Sequence, residues 1–160
     1  MIILKFINWF LNLFRRKKET TIKVEYIKYI QTPFDLQLFN AINKYRGNKN
    51  LPLLKLAPDE INDIGGAHTV WLNDNIITKE DFKLRGHYYS QIRFDQIQLR
   101  FPNAIHISEN IAFGYNTADS CVSAWDASLH HYETMNSIKY THLSVTNANK
   151  LFVETIYLNL

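Results

Sequence analysis

Apolar residues in the first half of this chain recur with a helical period, whereas the last twenty residues alternate apolar and polar, so helices precede a closing pair of strands. Phe34, Leu38, Phe39, Ile42 and Tyr45 share one helical face, and Arg46-Gly47-Asn48 supplies the stop of a first helix. Pro52 and Pro58 bracket LPLLKLA, after which Asp59 serves as the expected N-cap of a second helix running through Ile61, Ile64 and His68 to about Leu72. Gly65-Gly66 weakens that helix and implies a closely packed neighbour. A polar loop is expected over 73–92, then a strand over 104–115, then a third helix opened by Thr117 over ADSCVSAWDASL. THLSVTNANKLFVETIYLNL reads as a hairpin turning at Asn147-Ala148-Asn149, because Asn tolerates the left-handed backbone of tight turns. Helices segregated against a short, mainly antiparallel sheet predict an α+β layered domain.

A different pattern occupies the N-terminus. Residues 2–14, IILKFINWFLNLF, hold ten apolar residues in thirteen, with Lys5, Asn8 and Asn12 forming one narrow polar stripe on a helix. Such a helix is roughly 20 Å long at about 1.5 Å per residue, short of the ~30 Å hydrocarbon core that a spanning helix crosses. Arg15, Arg16, Lys17 and Lys18 follow at once, and no small-residue cleavage site lies nearby. Trp9, Phe10 and Phe14 beside these cations suit a helix lying in a membrane interface; a helix docked on a protein partner and an atypical export signal remain open alternatives. The chain divides accordingly into an anchor over 1–18, a connector over 19–33 and a domain over 34–160.

Composition sharpens the picture in three ways. With 160 residues, 46% hydrophobic and 22 aromatics, the chain can fill one sizeable core. The single Cys121 excludes an internal disulfide framework and a CxxC zinc site, and reads as a small core residue. The net charge of +3 is lopsided: residues 1–30 carry seven Lys/Arg against two Glu, and the rest carry 11 basic against 13 acidic groups. The body thus offers no broad basic face for nucleic acid.

Four stretches in order resemble a known family. Asn43-Lys44-Tyr45-Arg46, Ser108-Glu109-Asn110-Ile111-Ala112-Phe113-Gly114, Trp125-Asp126-Ala127-Ser128-Leu129-His130-His131 and Tyr140-Thr141-His142-Leu143-Ser144-Val145 with the strand after it are similar to the N-x-x-R, ENIA-x-G, W-x-x-S-x-x-H and closing hairpin signatures of the CAP superfamily, or SCP domains. That family includes the cysteine-rich secretory proteins, antigen 5 and plant pathogenesis-related proteins; the lack of their cysteines favours a bacterial or viral type. The resemblance implies a three-layer α-β-α sandwich with a cleft over the sheet, and an extracellular or cell-surface location. It implies cleft residues His87, Glu109 and His131, with Ser128 where several eukaryotic members carry a second Glu. The usual S-P-G-H turn is Ser128-Leu129-His130-His131 here, without its Pro and Gly, and G-V-G is Ser144-Val145-Thr146.

Two imidazoles and a carboxylate are a minimal ligand set for a divalent metal with open positions, Zn²⁺ most naturally, and an open site can activate water. The competing reading is a hydrogen-bonded His/Glu pair that closes a core and binds nothing. A further enzymatic reading takes Ser128 or Ser108 as nucleophile, His131 as base and Glu109 as its orienting acid, although no nucleophile-elbow pattern surrounds either serine. Trp125 is the expected core anchor, Asn110 a satisfier of backbone groups beside the cleft, Arg46 a carboxylate partner or helix-end cap, and His68 a packed, hydrogen-bonded histidine. His106, His130 and His142 read as exposed or structural. The leading expectation is a non-enzymatic CAP-like binding or interaction domain, tethered by residues 1–18 to a membrane surface or a larger assembly, with oligomerisation open. The alternatives are a metal-dependent hydrolase using the His87, Glu109, His131 cleft, and a structural component of a virion or secretion complex. A small ligand or metal in the cleft is compatible with the first two.

Overall fold

The computed structural model describes residues 28–149 and 151–160. The anchor residues Trp9, Phe10, Phe14, Arg15, Arg16, Lys17 and Lys18 lie outside the described residues. The first helix, α1 (Pro33–Asn48), begins at a capping box: the Thr32 hydroxyl accepts from the Asp35 amide and the Asp35 carboxylate accepts from the Thr32 amide, with Pro33 at the first turn where no amide is needed. Strand β1 (Lys55–Leu56) leads into α2 (Asp59–Asn75). There Pro58, not Asp59, occupies the N-cap, and no side chain caps the helix.

The expected loop over 73–92 is largely helical. It contains α3 (Lys79–Arg85), capped by the Thr78 hydroxyl, and the start of α4 (Ser90–Arg100). These helices of seven and eleven residues are short and polar: α3 buries no residue and α4 buries only Arg93 and Ile97, so their sequence carries few apolar positions to mark them. Strand β2 (Ile105–Phe113) follows, then α5 (Ala118–Asp126) and α6 (Leu129–Asn136). The expected third helix therefore breaks at Ala127-Ser128, where Ser128 takes an extended backbone at the N-cap position of α6 without a side-chain capping bond. The chain closes with β3 (His142–Ala148) and β4 (Phe152–Asn159), Asn149 taking the left-handed φ of 54° just past β3.

The sheet order is β1-β3-β4-β2, with β1 and β3 parallel and the other neighbours antiparallel. Register assigns every inward residue to a face. Glu109, Ile111 and Phe113 of β2 lie opposite Ile156, Glu154 and Phe152 of β4, so these six share one face. That face packs under α2 and α4, where Ile61, Ile64, Ile97, Ile156 and Leu158 form one apolar cluster and Leu72, Ile76, Ile111 and Phe152 another. The other face, with Ala112, Leu143, Val145, Val153 and Tyr157, packs against Phe34, Leu38 and Ile42 of α1, Cys121, Val122 and Trp125 of α5, and Met135 of α6. Helices thus cover both sides of a four-stranded mixed sheet.

Tyr29, inside the expected connector, belongs to the folded body. Its amide donates to Asp63 (2.7 Å) and its hydroxyl to Asp35 (2.8 Å), and the Asn147 amide donates to that hydroxyl (2.8 Å). Gly66 makes room for its ring, since a Cβ there would lie 2.7 Å from Tyr29 Cγ. Arg46 is fully buried and meets no carboxylate among the described residues; it donates to the carbonyls of Pro52 (2.9 Å), Met135 (2.6 Å) and Ser137 (3.0 Å), tying α1 to the end of α6.

Candidate functional site

The two ends of the candidate site are set by backbone geometry. Strand β2 lies at one edge of the sheet, and a register irregularity between Ile105 and Ser108, with His106 at φ 52°, precedes the regular pairing from Ser108 onward. From that point the period of two directs Glu109 to the α4 side and Asn110 to the α6 side. Gly114 ends the strand at φ 80°, a backbone region that a side chain would strain. On the facing side, the turn between α3 and α4 carries His87, and Tyr89, at φ 61°, redirects the chain into α4. Arg93 and Ile97 are the buried residues of α4, one helical turn apart, so the guanidinium and the isoleucine enter the same face.

Five ionisable side chains then join into one chain of contacts. His68 Nδ1 lies 2.8 Å from Glu154 Oε2, and Glu154 Oε1 lies 3.2 Å from Arg93 Nε. Arg93 in turn clasps Glu109, donating from Nη2 to Oε1 (2.8 Å) and Oε2 (2.6 Å) and from Nε to Oε2 (3.2 Å), while its Nη1 donates to the Tyr88 carbonyl (2.6 Å). His87 Nδ1 closes the chain at Glu109 Oε1, 2.9 Å away. His68, Arg93, Glu109 and Glu154 are buried; His87 is half exposed, with 54% of its side chain accessible.

Burial alone would raise the Glu109 carboxyl, but the hydrogen bond from His87 and the Arg93 charge outweigh it and hold the group down at about 2. Glu154 moves the other way, because complete burial outweighs the His68 and Arg93 contacts that favour its charge. With Glu109 ionised, His87 donates through Nδ1 and presents Nε2 outward. The His131 ring stacks on His87 at 6.0 Å between centroids and leans on Trp125 at 6.4 Å. Burial, with the nearby His87 and His130, pushes the His131 imidazole down to about 4, so it is neutral at pH 7.

This depressed value has a measurable consequence. Between pH 6.5 and about 4 the unfolded chain protonates His131 and the folded chain does not, so stability falls as pH drops through that window. Because His131 is only partly buried, the effect is of order 1–2 kcal/mol. His131→Gln is expected to flatten the urea midpoint between those pH values, and a wild-type-like slope in the variant would refute the assignment.

The rings of His131 and Trp125, with Lys79, Phe82, Tyr115 and Ser128, line a groove of about 200 Å³ along the outer edge of β2. A larger cavity of about 810 Å³ lies beside Tyr29, Phe34 and Asn147, and among the described residues Tyr29 is its only titratable lining residue. Of the expected cleft residues, His131 and Ser128 line the smaller groove, while His87 and Glu109 line neither cavity.

The expected residues are therefore partly brought together. His87 and Glu109 are hydrogen-bonded and His131 stacks on His87, whereas Ser128 has no hydrogen bond to His131. Glu109 orients His87 and not His131, and the Ser108 hydroxyl meets Thr134 Oγ1 at 3.2 Å, so the serine-nucleophile reading has neither its base nor its acid in place. Trp125 is buried and donates from Nε1 to the Ile111 carbonyl (3.2 Å), Asn110 donates to the His131 carbonyl (3.1 Å), Cys121 is buried, and His68 is packed and hydrogen-bonded. Among the described residues no group of three or more His, Cys, Asp or Glu side chains is placed to hold a metal ion. The donor set does not fit one, because the guanidinium sits on both Glu109 oxygens.

Sequence reasoning missed Arg93 and Glu154. Glu154 did carry a signal: it holds an inward strand position between Phe152 and Ile156, where a carboxylate requires a buried partner. Among the described residues no helix is long and apolar enough to cross a membrane.

No protein-family model matches the sequence, and no curated protein does either. Solved structures do resemble the fold. An extracellular protein containing an SCP domain from Bacillus anthracis superposes with a TM-score of 0.65 at 20% identity, over 82% of this chain and 45% of its own length. A cysteine-rich secretory protein from Staphylococcus aureus gives 0.59 at 17%, over 79% of this chain and 38% of its own. An outer surface protein from Borrelia burgdorferi gives 0.63 at 18%, over 81% of this chain and 96% of its own. The chain thus spans less than half the length of the first two. Each superposition covers about four fifths of this chain, which takes in both helical layers and the sheet between them: the chain has the fold of the SCP domain.

Proposed function

We propose that this chain is a non-enzymatic CAP-like binding domain, presented at a membrane surface or within a larger assembly by its N-terminal apolar and basic segment. The observation that carries the non-enzymatic part is the closed ionic chain of the cleft. Arg93 and His87 occupy the Glu109 carboxylate, so it is not available as a metal ligand or as the acid of a His131 dyad. What the site offers outward is a shallow groove with aromatic walls, an edge strand and the His87 and Lys79 side chains, which suits binding by contact. The metal-dependent hydrolase reading gains no support from this donor set. An extracellular or cell-surface setting is in keeping with the neighbours, described as extracellular, secretory and outer-surface proteins.

The tether is tested on the full chain by co-sedimentation with vesicles containing about one third phosphatidylserine. Wild type is expected to partition onto them, and the joint substitution Arg15→Glu, Arg16→Glu, Lys17→Glu, Lys18→Glu to weaken partition by about a hundredfold or more, since each basic residue near an anionic surface contributes about 1 kcal/mol. Trp9→Ala with Phe10→Ala should weaken it on neutral vesicles too. Wild type that stays in solution while running as a large homogeneous oligomer would replace the membrane with a protein assembly as the object of the anchor, and would favour the structural-component reading.

A further inference from the structure

We propose that the groove along the outer edge of β2 receives the C-terminus of a partner polypeptide. The apolar side chain of the partner's last residue lies against Phe82 and Trp125, and its terminal carboxylate meets Lys79 and Lys83.

Size limits the occupant first. At about 200 Å³ the groove falls below the roughly 300–1,000 Å³ of pockets that enclose a drug-sized ligand, and it takes one large apolar side chain with little else. Ile111, Ala112 and Phe113 of β2 form its base, and Phe82 and Trp125 supply aromatic walls. Charge then defines the head group. Lys79 and Lys83, exposed and one turn apart on α3, line the same groove, and among the described residues no carboxylate does. Asp81 of that helix is engaged by the Thr78 hydroxyl (3.1 Å) and by Arg85 (3.4 Å), and neither lysine has an ion pair among the described residues. Two ammonium groups over an apolar base suit an apolar residue that ends in a carboxylate. The backbone defines how that residue arrives. Among the described residues β2 has a strand neighbour, β4, on one side only. The Asn110 carbonyl turns toward β4, where it accepts from Thr155 Oγ1 (3.2 Å), and the Ile111 carbonyl turns outward to accept from Trp125 Nε1 (3.2 Å). The period of two directs the half-buried Phe113 the same way as Ile111, so its amide and carbonyl face the open side of the strand. An extended chain laid along that edge pairs with Phe113, which is strand addition with a pocket for one side chain. A small amphiphilic acid would use the lysines and the rings but leave this edge unpaired.

This inference rests on the reading of the chain as a binding domain and names its partner; the vesicle test of that reading goes through residues 9–18 and not through the groove, so the two can fail separately. Amide chemical shifts of the full-length protein would be followed while short Gly/Ser peptides ending in phenylalanine are added. The peptide with a free carboxylate is expected to shift the Phe113 and Lys79 signals saturably, with a Kd of about 1 mM or tighter. Amidating its C-terminus is expected to weaken binding about tenfold, and so is the joint substitution Lys79→Gln, Lys83→Gln, which alters two exposed side chains and leaves the core intact. The amidated peptide should be indifferent to the lysine substitutions, because the two changes remove one shared interaction. Octanoate carries the head group and an apolar body without a backbone, and is expected to bind about tenfold more weakly than the peptide. The proposal is overturned if the free-carboxylate peptide causes no saturable shift, if the amidated peptide binds equally well, or if the lysine variant binds as wild type does. Octanoate binding as tightly as the peptide would also overturn it, making the groove a site for small acids.

Discussion

Arg93→Met, measured without metal at pH 7, is expected to lower the unfolding free energy by about 3–5 kcal/mol, the range seen when one partner of a buried ion pair is removed and the other is left in place. The guanidinium makes hydrogen bonds to both Glu109 oxygens and to the Tyr88 carbonyl, with an ionic contact to Glu154, so its removal leaves a buried carboxylate without its cation and a carbonyl without its donor. The loss should shrink as pH falls. In wild type Glu109 remains ionised down to about 2, but in the variant its carboxyl rises and protonates earlier, which relieves the unpaired charge. Adding Glu109→Gln should return part of the stability, because the two side chains share one interaction and their effects do not add. Urea unfolding of the four proteins at pH 7 and pH 5 decides the matter. A loss below about 1 kcal/mol for Arg93→Met would mean that the pair behaves like a solvated surface bridge.

Trp125→Ala is expected to cost a similar 3–5 kcal/mol and to remove one wall of the groove as well. Trp125 is among the largest fully enclosed side chains, packs in the cluster of Leu38, Val122, Leu143 and Tyr157, and ties α5 to the edge strand through its bond to the Ile111 carbonyl. Trp125→Phe separates the two contributions: it retains most of the apolar contact and orphans one carbonyl, so a loss of only about 1–2 kcal/mol is expected. His131 leans on the indole, so in the alanine variant its imidazole gains water and its pKa should move up from about 4 toward the ordinary value. Proton chemical shifts of His131 across pH 3–8 would register that change even where stability is masked. An unchanged titration would show that the indole does not shield the imidazole.

Much of the cleft's chemistry was legible from one dimension because it rides on regular elements. The alternation of β2 places Glu109 and Ile111 on one face and Asn110 and Ala112 on the other, and the same arithmetic orients β4. Helical spacing identified α1 and the core of α2, and the paired glycines announced a close neighbour that is Tyr29 for Gly66 and Thr146 for Gly65. His87, Glu109 and His131, named through the family resemblance, do converge at the β2 edge. The serine-based reading took Ser128 and His131 as neighbours on one helix; the helix instead restarts after Ser128, and the Ser108 hydroxyl meets Thr134 rather than a histidine.

Local pattern by itself determined the order of the main elements, the facing of each strand and the lopsided charge of the N-terminal segment, because period and composition are properties of neighbours in sequence. Only tertiary structure decided what Glu109 is bonded to. Its partners His87 and Arg93 stand 22 and 16 residues before it, on a turn and a helix too short and polar to betray themselves, and Glu154 reaches the cluster from a strand 45 residues further on. A buried carboxylate announces that a cation must exist. Which cation, metal or guanidinium, is settled by whichever side chain the packing of α4 against the sheet delivers, and here it delivers Arg93.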